Sequence, residues 1–262
     1  MLGKTVCIGV GALGGALLRG ALSQGILRRD DVSIVVRRPE HRDELVYELG
    51  VTGFVELPDM AQFDTIILAV KPQVLPSVLS QLTSVKAGAT VISVAAGVTL
   101  DTLRKALPTA VLYRAMPNTP ASIGCGMTAL TADNGADTIH VEALFNAVGE
   151  VAVVSEADLD RLGALSGAGP GYMFVILDSL ADAGVRIGLP RQLSIKAAAQ
   201  TMYGAGKMAL ESGTHPAILR DQVTSPGGTT IAGIGAMEKG GLRSALQDGV
   251  VACLARSNEL GK

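Results

Sequence analysis

At 262 residues, 48% hydrophobic, with 22 basic and 24 acidic side chains giving a net charge of −2, the chain is long enough for one large domain or two modest ones. The balanced charge, the absence of Trp and an aromatic content of 3% leave neither a basic footprint nor stacking surfaces for nucleic acid. Mean hydropathy is +0.39, yet no apolar run reaches the roughly 18 residues of a membrane span, and the scattered His41, His140 and His215 offer no metal-ligand spacing.

Cys7, Cys125 and Cys253 lie far apart in apolar surroundings, which predicts buried, reduced thiols in a cytoplasmic protein. Lys4–Val10 is a short β-leaning run, followed by Gly9, Gly11 and Gly14 in G-x-G-x-x-G spacing and a helical pattern over Leu13–Gln24. This predicts a strand, a phosphate loop and a helix, with Ala12 and Leu13 in the same cofactor-binding turn. The first glycine permits the turn, the second admits a pyrophosphate and the third packs helix on strand. A second strand, Asp31–Val36, runs into Arg37 and Arg38 about twenty residues past the last glycine. An acid there would read the ribose hydroxyl of NAD, whereas a guanidinium fork suits the extra phosphate of NADP. NADPH is therefore the predicted cofactor, with NADH as the alternative.

The alternation continues with a helix over Glu40–Leu49, strand Thr65–Val70, a helix over Val74–Val85, and strands Thr90–Val94 and Ala110–Met116. Ligands of open α/β sheets sit beyond the carboxyl ends of strands. Ala69, Val70, Lys71 and Pro72, then Ala95, Ala96 and Gly97, and then Met116 to Asn118 are accordingly predicted to line the cofactor site. Strands Met127–Thr131 and Glu150–Val154, flanking a helix over 137–148, extend the sheet. Glu156, Asp158 and Asp160 crowd into the start of a long helix and complement its dipole. A boundary near residue 160 separates a Rossmann-type NADP-binding domain, 1–160, from an all-α domain for dimerisation and substrate, 161–262.

The helical patterns Arg161–Ile187 and Leu193–Leu210 are poor in charge, so their apolar faces predict a subunit interface. Within the first, Ser166–Tyr172 combines glycine and proline, the mark of a kink or of a ligand's close approach. Thr224–Gly235, TSPGGTTIAGIG, holds no ionisable side chain. Thr224 and Ser225 are candidate caps, Pro226 suits a first helical turn, and the glycines leave amides open to an anion.

The glycine motif, AVKP at 69–72, RAMPNTP at 114–120, SGAGPGY at 166–172 and DQVTSPGGTT at 221–230 together resemble the pyrroline-5-carboxylate reductase family, over the whole chain. The resemblance implies reduction of 1-pyrroline-5-carboxylate to proline, the last step of proline synthesis, with NADPH or NADH as hydride donor. It also implies an interlocked homodimer that often builds a decamer. Matched by position, it sets Gly9, Gly11, Gly14, Lys71, Pro72 and Ala95–Gly97 on the cofactor and Asn118 near the nicotinamide. Val223, Ser225, Gly227, Gly228, Thr229 and Thr230 fall to the substrate. Ala168 and Gly171 replace the family's usual Ser and Ala, one small residue for another. A protonated imine accepts hydride readily, so a loop of hydroxyls and amides suffices: amides of Gly228, Thr229 and Thr230 for the carboxylate, and the Thr230 hydroxyl as the catalytic contact to the ring nitrogen. Two other readings are a β-hydroxyacid dehydrogenase-like enzyme using Lys196 or Lys207, neither of which stands in a G-x-x-x-K motif, and a non-catalytic NADPH-binding redox sensor.

Overall fold

The computed structural model describes residues 2–260. They divide into two compact units, one reaching to Ala168 and including the end of the last helix from Cys253, the other spanning Gly169–Ala252.

In the first unit the elements run β1 (Thr5–Ile8), α1 (Ala12–Ser23), β2 (Val32–Val35), α2 (Pro39–Leu49), β3 (Thr52–Phe54), β4 (Thr65–Leu68), α3 (Leu75–Leu79), β5 (Thr90–Ser93), α4 (Leu100–Ala106), β6 (Val111–Met116), β7 (Gly126–Ala132), α5 (Ile139–Asn146), β8 (Gly149–Val153) and α6 (Glu156–Leu162). The strands form one sheet in the order β3-β2-β1-β4-β5-β6-β7-β8, parallel except where β7 pairs antiparallel with β6. Alternation along each strand feeds both faces. Cys7, Ile34, Ile67 and Ile92 join one buried cluster, and Val6, Ile8, Ile66, Leu68 and Val91 the other. Burial without a charged partner pushes the Cys7 thiol up to about 12.

Chain order reverses at β1, whose neighbours are β2 and β4. That reversal opens a crevice beyond their carboxyl ends, as doubly wound sheets require.

Several sequence expectations need correction. The helix expected over Val74–Val85 is the five-residue α3, followed by short polar turns in which Ser80 and Gln81 side chains donate to the Ser77 carbonyl instead of prolonging it. Cys125 is exposed and Cys253 half-buried, so only Cys7 is a core thiol. The long helix expected from residue 155 is broken: α6 ends at Leu162, Gly163–Gly167 forms a wide π turn, and a new helix starts at Gly169. Met116 is what approaches the glycines there, since a Cβ on Gly163 would lie 3.2 Å from its Cε.

The second unit contains α7 (Gly169–Arg186), α8 (Arg191–Ser212), α9 (Pro216–Gln222), α10 (Thr229–Lys239) and most of α11 (Leu242–Leu260). Helices α7 and α8 pack together at Gly184, where any Cβ would fall 2.5 Å from Ser194 Oγ. Of its described residues only Ala181, Ser194 and Ala198 are buried, while Phe174, Val175, Ile187 and Leu210 stand exposed. This unit has too little interior to hold itself together by burial.

Candidate active site

Beyond the ends of β1, β2 and β4 lies an open groove of about 1320 Å³. Gly9, Gly11, Arg37, Arg38, Ala69, Val70 and Lys71 line it, so seven of the sequence-predicted cofactor residues converge. The three glycines divide the work. Gly9 has a φ of +90°, and a Cβ on it would meet the Ala69 carbonyl oxygen at 2.8 Å. Gly14 packs α1 onto β1, because its Cβ would fall 2.6 Å from the Gly9 carbonyl oxygen. Gly11, which caps α1, has no atom within 4 Å of its Cβ position, so the space in front of the α1 amides is clear. That is the shape a pyrophosphate requires.

Arg37 and Arg38 are exposed, and their side chains have no hydrogen-bond or ion-pair partner among the described residues. Every other arginine between residues 2 and 168 has one: Arg19 with Glu48, Arg28 with Asp31, Arg29 with the Leu49 carbonyl, Arg42 with Asp43, Arg104 with Asp133, Arg114 with Glu156 and Arg161 with Asp158. Two adjacent guanidinium groups left free at the mouth of a groove fit a phosphate.

The remaining predicted cofactor residues are placed differently. Ala12, Leu13 and Gly14 form the first turn of α1, with Leu13 and Gly14 facing a narrow apolar crevice that Val94 and Pro117 share. Pro72, Ala95, Ala96, Gly97 and Asn118 do not line the groove. Asn118 is spoken for within the chain: its Nδ2 donates to the Ser166 carbonyl and its Oδ1 accepts from the Met127 N–H, each at 2.9 Å. Groove residues that sequence reasoning passed over are His41, Glu56, Ser77 and Gln81. Position after a strand end was the available signal for Glu56. The others are reached through helices α2 and α3 and their sequel.

The acids at 156–160 also do more than serve a dipole. Arg114, 3% exposed on β6, donates to Glu156 Oε1 at 2.7 Å and to Asp160 Oδ1 at 3.0 Å, and Glu156 Oε1 also accepts from the Leu100 N–H at 2.7 Å. Three segments are thereby tied by one buried cation.

In the second unit the substrate-loop residues form a turn between α9 and α10. Thr224 and Ser225 do not cap a helix start, since Thr224 Oγ1 donates back to the Arg220 and Asp221 carbonyls at the end of α9 and α10 begins only at Thr229, capped by Gly228. Pro226 precedes the helix. The Gly228 N–H donates to the Ser225 carbonyl at 3.0 Å, which leaves the Thr229 and Thr230 amides at the head of α10. The Thr230 side chain is exposed and has no hydrogen-bond partner among the described residues. Lys196 and Lys207 are exposed, and Lys207 pairs with Glu211 on its own helix.

Comparison with known proteins gives matches in both halves of the chain. A family model for pyrroline-5-carboxylate reductase dimerisation matches residues 156–260, and one for coenzyme F420-dependent NADP oxidoreductases matches residues 4–97. A pyrroline-5-carboxylate reductase of Arabidopsis thaliana is 38% identical over 99% of this chain and 96% of its own. Two solved structures are similar throughout: the pyrroline-5-carboxylate reductase of Coxiella burnetii, 32% identical with TM-score 0.92 over 100% of both chains, and the Plasmodium falciparum pyrroline carboxylate reductase with NADP bound, 27% identical with TM-score 0.83 over 99% of this chain and 98% of that one. A glycine turn open in front of α1, a free arginine pair at the end of β2 and relatives alike from end to end lead to one conclusion: this chain belongs to the pyrroline-5-carboxylate reductase family.

Proposed function

We propose that this chain reduces 1-pyrroline-5-carboxylate to L-proline, using NADPH and also accepting NADH. Beside family membership, the observation that carries the reading is the partnerless Arg37–Arg38 pair in a groove that opens on the Gly9–Gly11 turn. The groove fits the dinucleotide: Gly11 admits the pyrophosphate, Arg37 and Arg38 hold the 2′-phosphate, and Lys71 adds a third cation to the lining. Bound there, the cofactor supplies a hydride.

The residues of 223–230 hold the substrate. Thr229 and Thr230 N–H groups, at the positive end of the eleven-residue α10, bind the carboxylate; the Gly228 amide, engaged with Ser225, orders the turn instead. Thr230 Oγ1 accepts from the ring nitrogen and so keeps the imine protonated, which raises the positive charge on the carbon that receives hydride. Val223, exposed and apolar, covers the ring carbons, while Ser225 and Gly227 shape the turn, Gly227 with a φ of +69°. No carboxylic acid or lysine is needed for this step.

Residues 1–160 serve as the NADP-binding domain and 161–262 as the domain for dimerisation and substrate; the last strand, β8, ends at Val153 and the dimerisation match begins at 156, a few residues before this boundary. The functional unit is a homodimer that assembles further into a decamer, and its place is the cytoplasm. Among the described residues no helix is long and apolar enough to cross a membrane.

Incubation with NADPH and 1-pyrroline-5-carboxylate tests the reading. Loss of reduced-cofactor absorbance matched by proline formation supports it. Tight NADPH binding with no oxidation would favour the redox-sensor reading.

A further inference from the structure

The groove is lined by charges of both signs. Parallel pairing of β2 with β3 sets Val35 opposite Phe54, and the Val36 N–H extends the ladder to the Phe54 carbonyl at 3.1 Å. Arg37 and Glu56 therefore each lie two residues beyond that pair, at the carboxyl ends of neighbouring strands. Both line the groove, together with Arg38 and His41. Glu56 is exposed, and its side chain has no hydrogen-bond or ion-pair partner among the described residues. Among the described residues it caps no helix and pairs with neither arginine, so its carboxylate is free to meet a ligand in the groove.

We propose that Glu56 is a specificity-determining residue that restrains the preference for NADPH over NADH. Its carboxylate accepts a hydrogen bond from the ribose 2′-hydroxyl of NADH, a charge-assisted contact, and repels the 2′-phosphate of NADPH that Arg37 and Arg38 attract. Two guanidinium groups outweigh one carboxylate, so NADPH stays ahead, but by less than the arginines alone would give. NADH keeps a contact of its own. The inference rests on the groove being the nucleotide site.

Calorimetric titration of the full chain with adenosine 2′,5′-bisphosphate and with adenosine 5′-monophosphate isolates this end of the cofactor from the reaction. Glu56 is exposed, so Glu56→Gln and Glu56→Ala are expected to fold as the parent does. Glu56→Gln should tighten the bisphosphate about three- to tenfold, most at low ionic strength where screening is weakest. Glu56→Ala should also weaken the monophosphate several-fold, and the NADPH to NADH ratio of kcat/KM should rise in both variants. If the wild type binds both nucleotides and their affinity ratio stays within about twofold in both variants, the role of Glu56 is refuted while the nucleotide site stands. If the wild type binds neither, the site itself is misassigned and the role of Glu56 falls with it.

Discussion

Asn118 joins the end of β6 to the π turn after α6, its Nδ2 donating to the Ser166 carbonyl while its Oδ1 holds the Met127 N–H. The side chain is 9% exposed, so both contacts are made largely out of water. Asn118→Ala leaves a donor and an acceptor unsatisfied and should cost about 1–3 kcal/mol of stability, read by denaturant unfolding. Asn118→Asp keeps the acceptor, loses the donor and should be destabilised as well. Unchanged stability in both would return Asn118 to a purely ligand-contacting role.

Arg114 carries two carboxylates from a buried position. Arg114→Met leaves Glu156 and Asp160 without their cation, and because both carboxylates are about a third exposed the loss should be about 1–3 kcal/mol. Glu156→Gln should cost less, because Asp160 still pairs with the arginine and the amide oxygen can still accept from Leu100. A double-mutant cycle between 114 and 156 measures the coupling, and additivity of the two single losses would show that the contact is energetically idle.

Gly11 and Gly14 separate binding from folding within one loop. Gly14→Ala forces a methyl to 2.6 Å from the Gly9 carbonyl oxygen and should lower Tm. Gly11→Ala meets no protein atom, so Tm should hold while NADPH affinity drops because the methyl occupies the pyrophosphate's approach. Thermal melts beside fluorescence titration with NADPH check both arms.

Thr230→Ala should lower turnover by the value of one hydrogen bond, about 0.5–1.5 kcal/mol, or roughly two- to tenfold, with NADPH binding intact. Thr230→Ser, which keeps the oxygen, should recover most of it. Turnover equal to wild type in Thr230→Ala would remove the hydroxyl from the mechanism.

The order of elements in the first half was readable because glycine spacing and alternating apolar runs are local signals. β3 escaped notice since Thr52–Phe54 is three residues with a glycine in the middle. α4 was missed although Thr99 accepts from the Thr102 N–H as a cap and Asp101, Arg104 and Lys105 sit at its dipole-matched ends. Direction of pairing in β7 and the partners of Arg114, 42 and 46 residues away in sequence, are set by tertiary structure alone. In the candidate site the glycines and arginines were legible by spacing, whereas Glu56 needed the β2–β3 register to bring it to the groove. For Thr224 the sequence showed a capping residue and could not show that it caps the helix before it rather than the one after.

The Gly169–Ala252 unit buries only Ala181, Ser194 and Ala198 among its described residues and leaves residues such as Phe174, Val175 and Leu210 uncovered, in a family whose matching region is a dimerisation region. For this unit folding and association then become one equilibrium, so dilution acts as a denaturant: its unfolding midpoint drifts downward as protomer concentration falls, while the sheet unit keeps a core of its own.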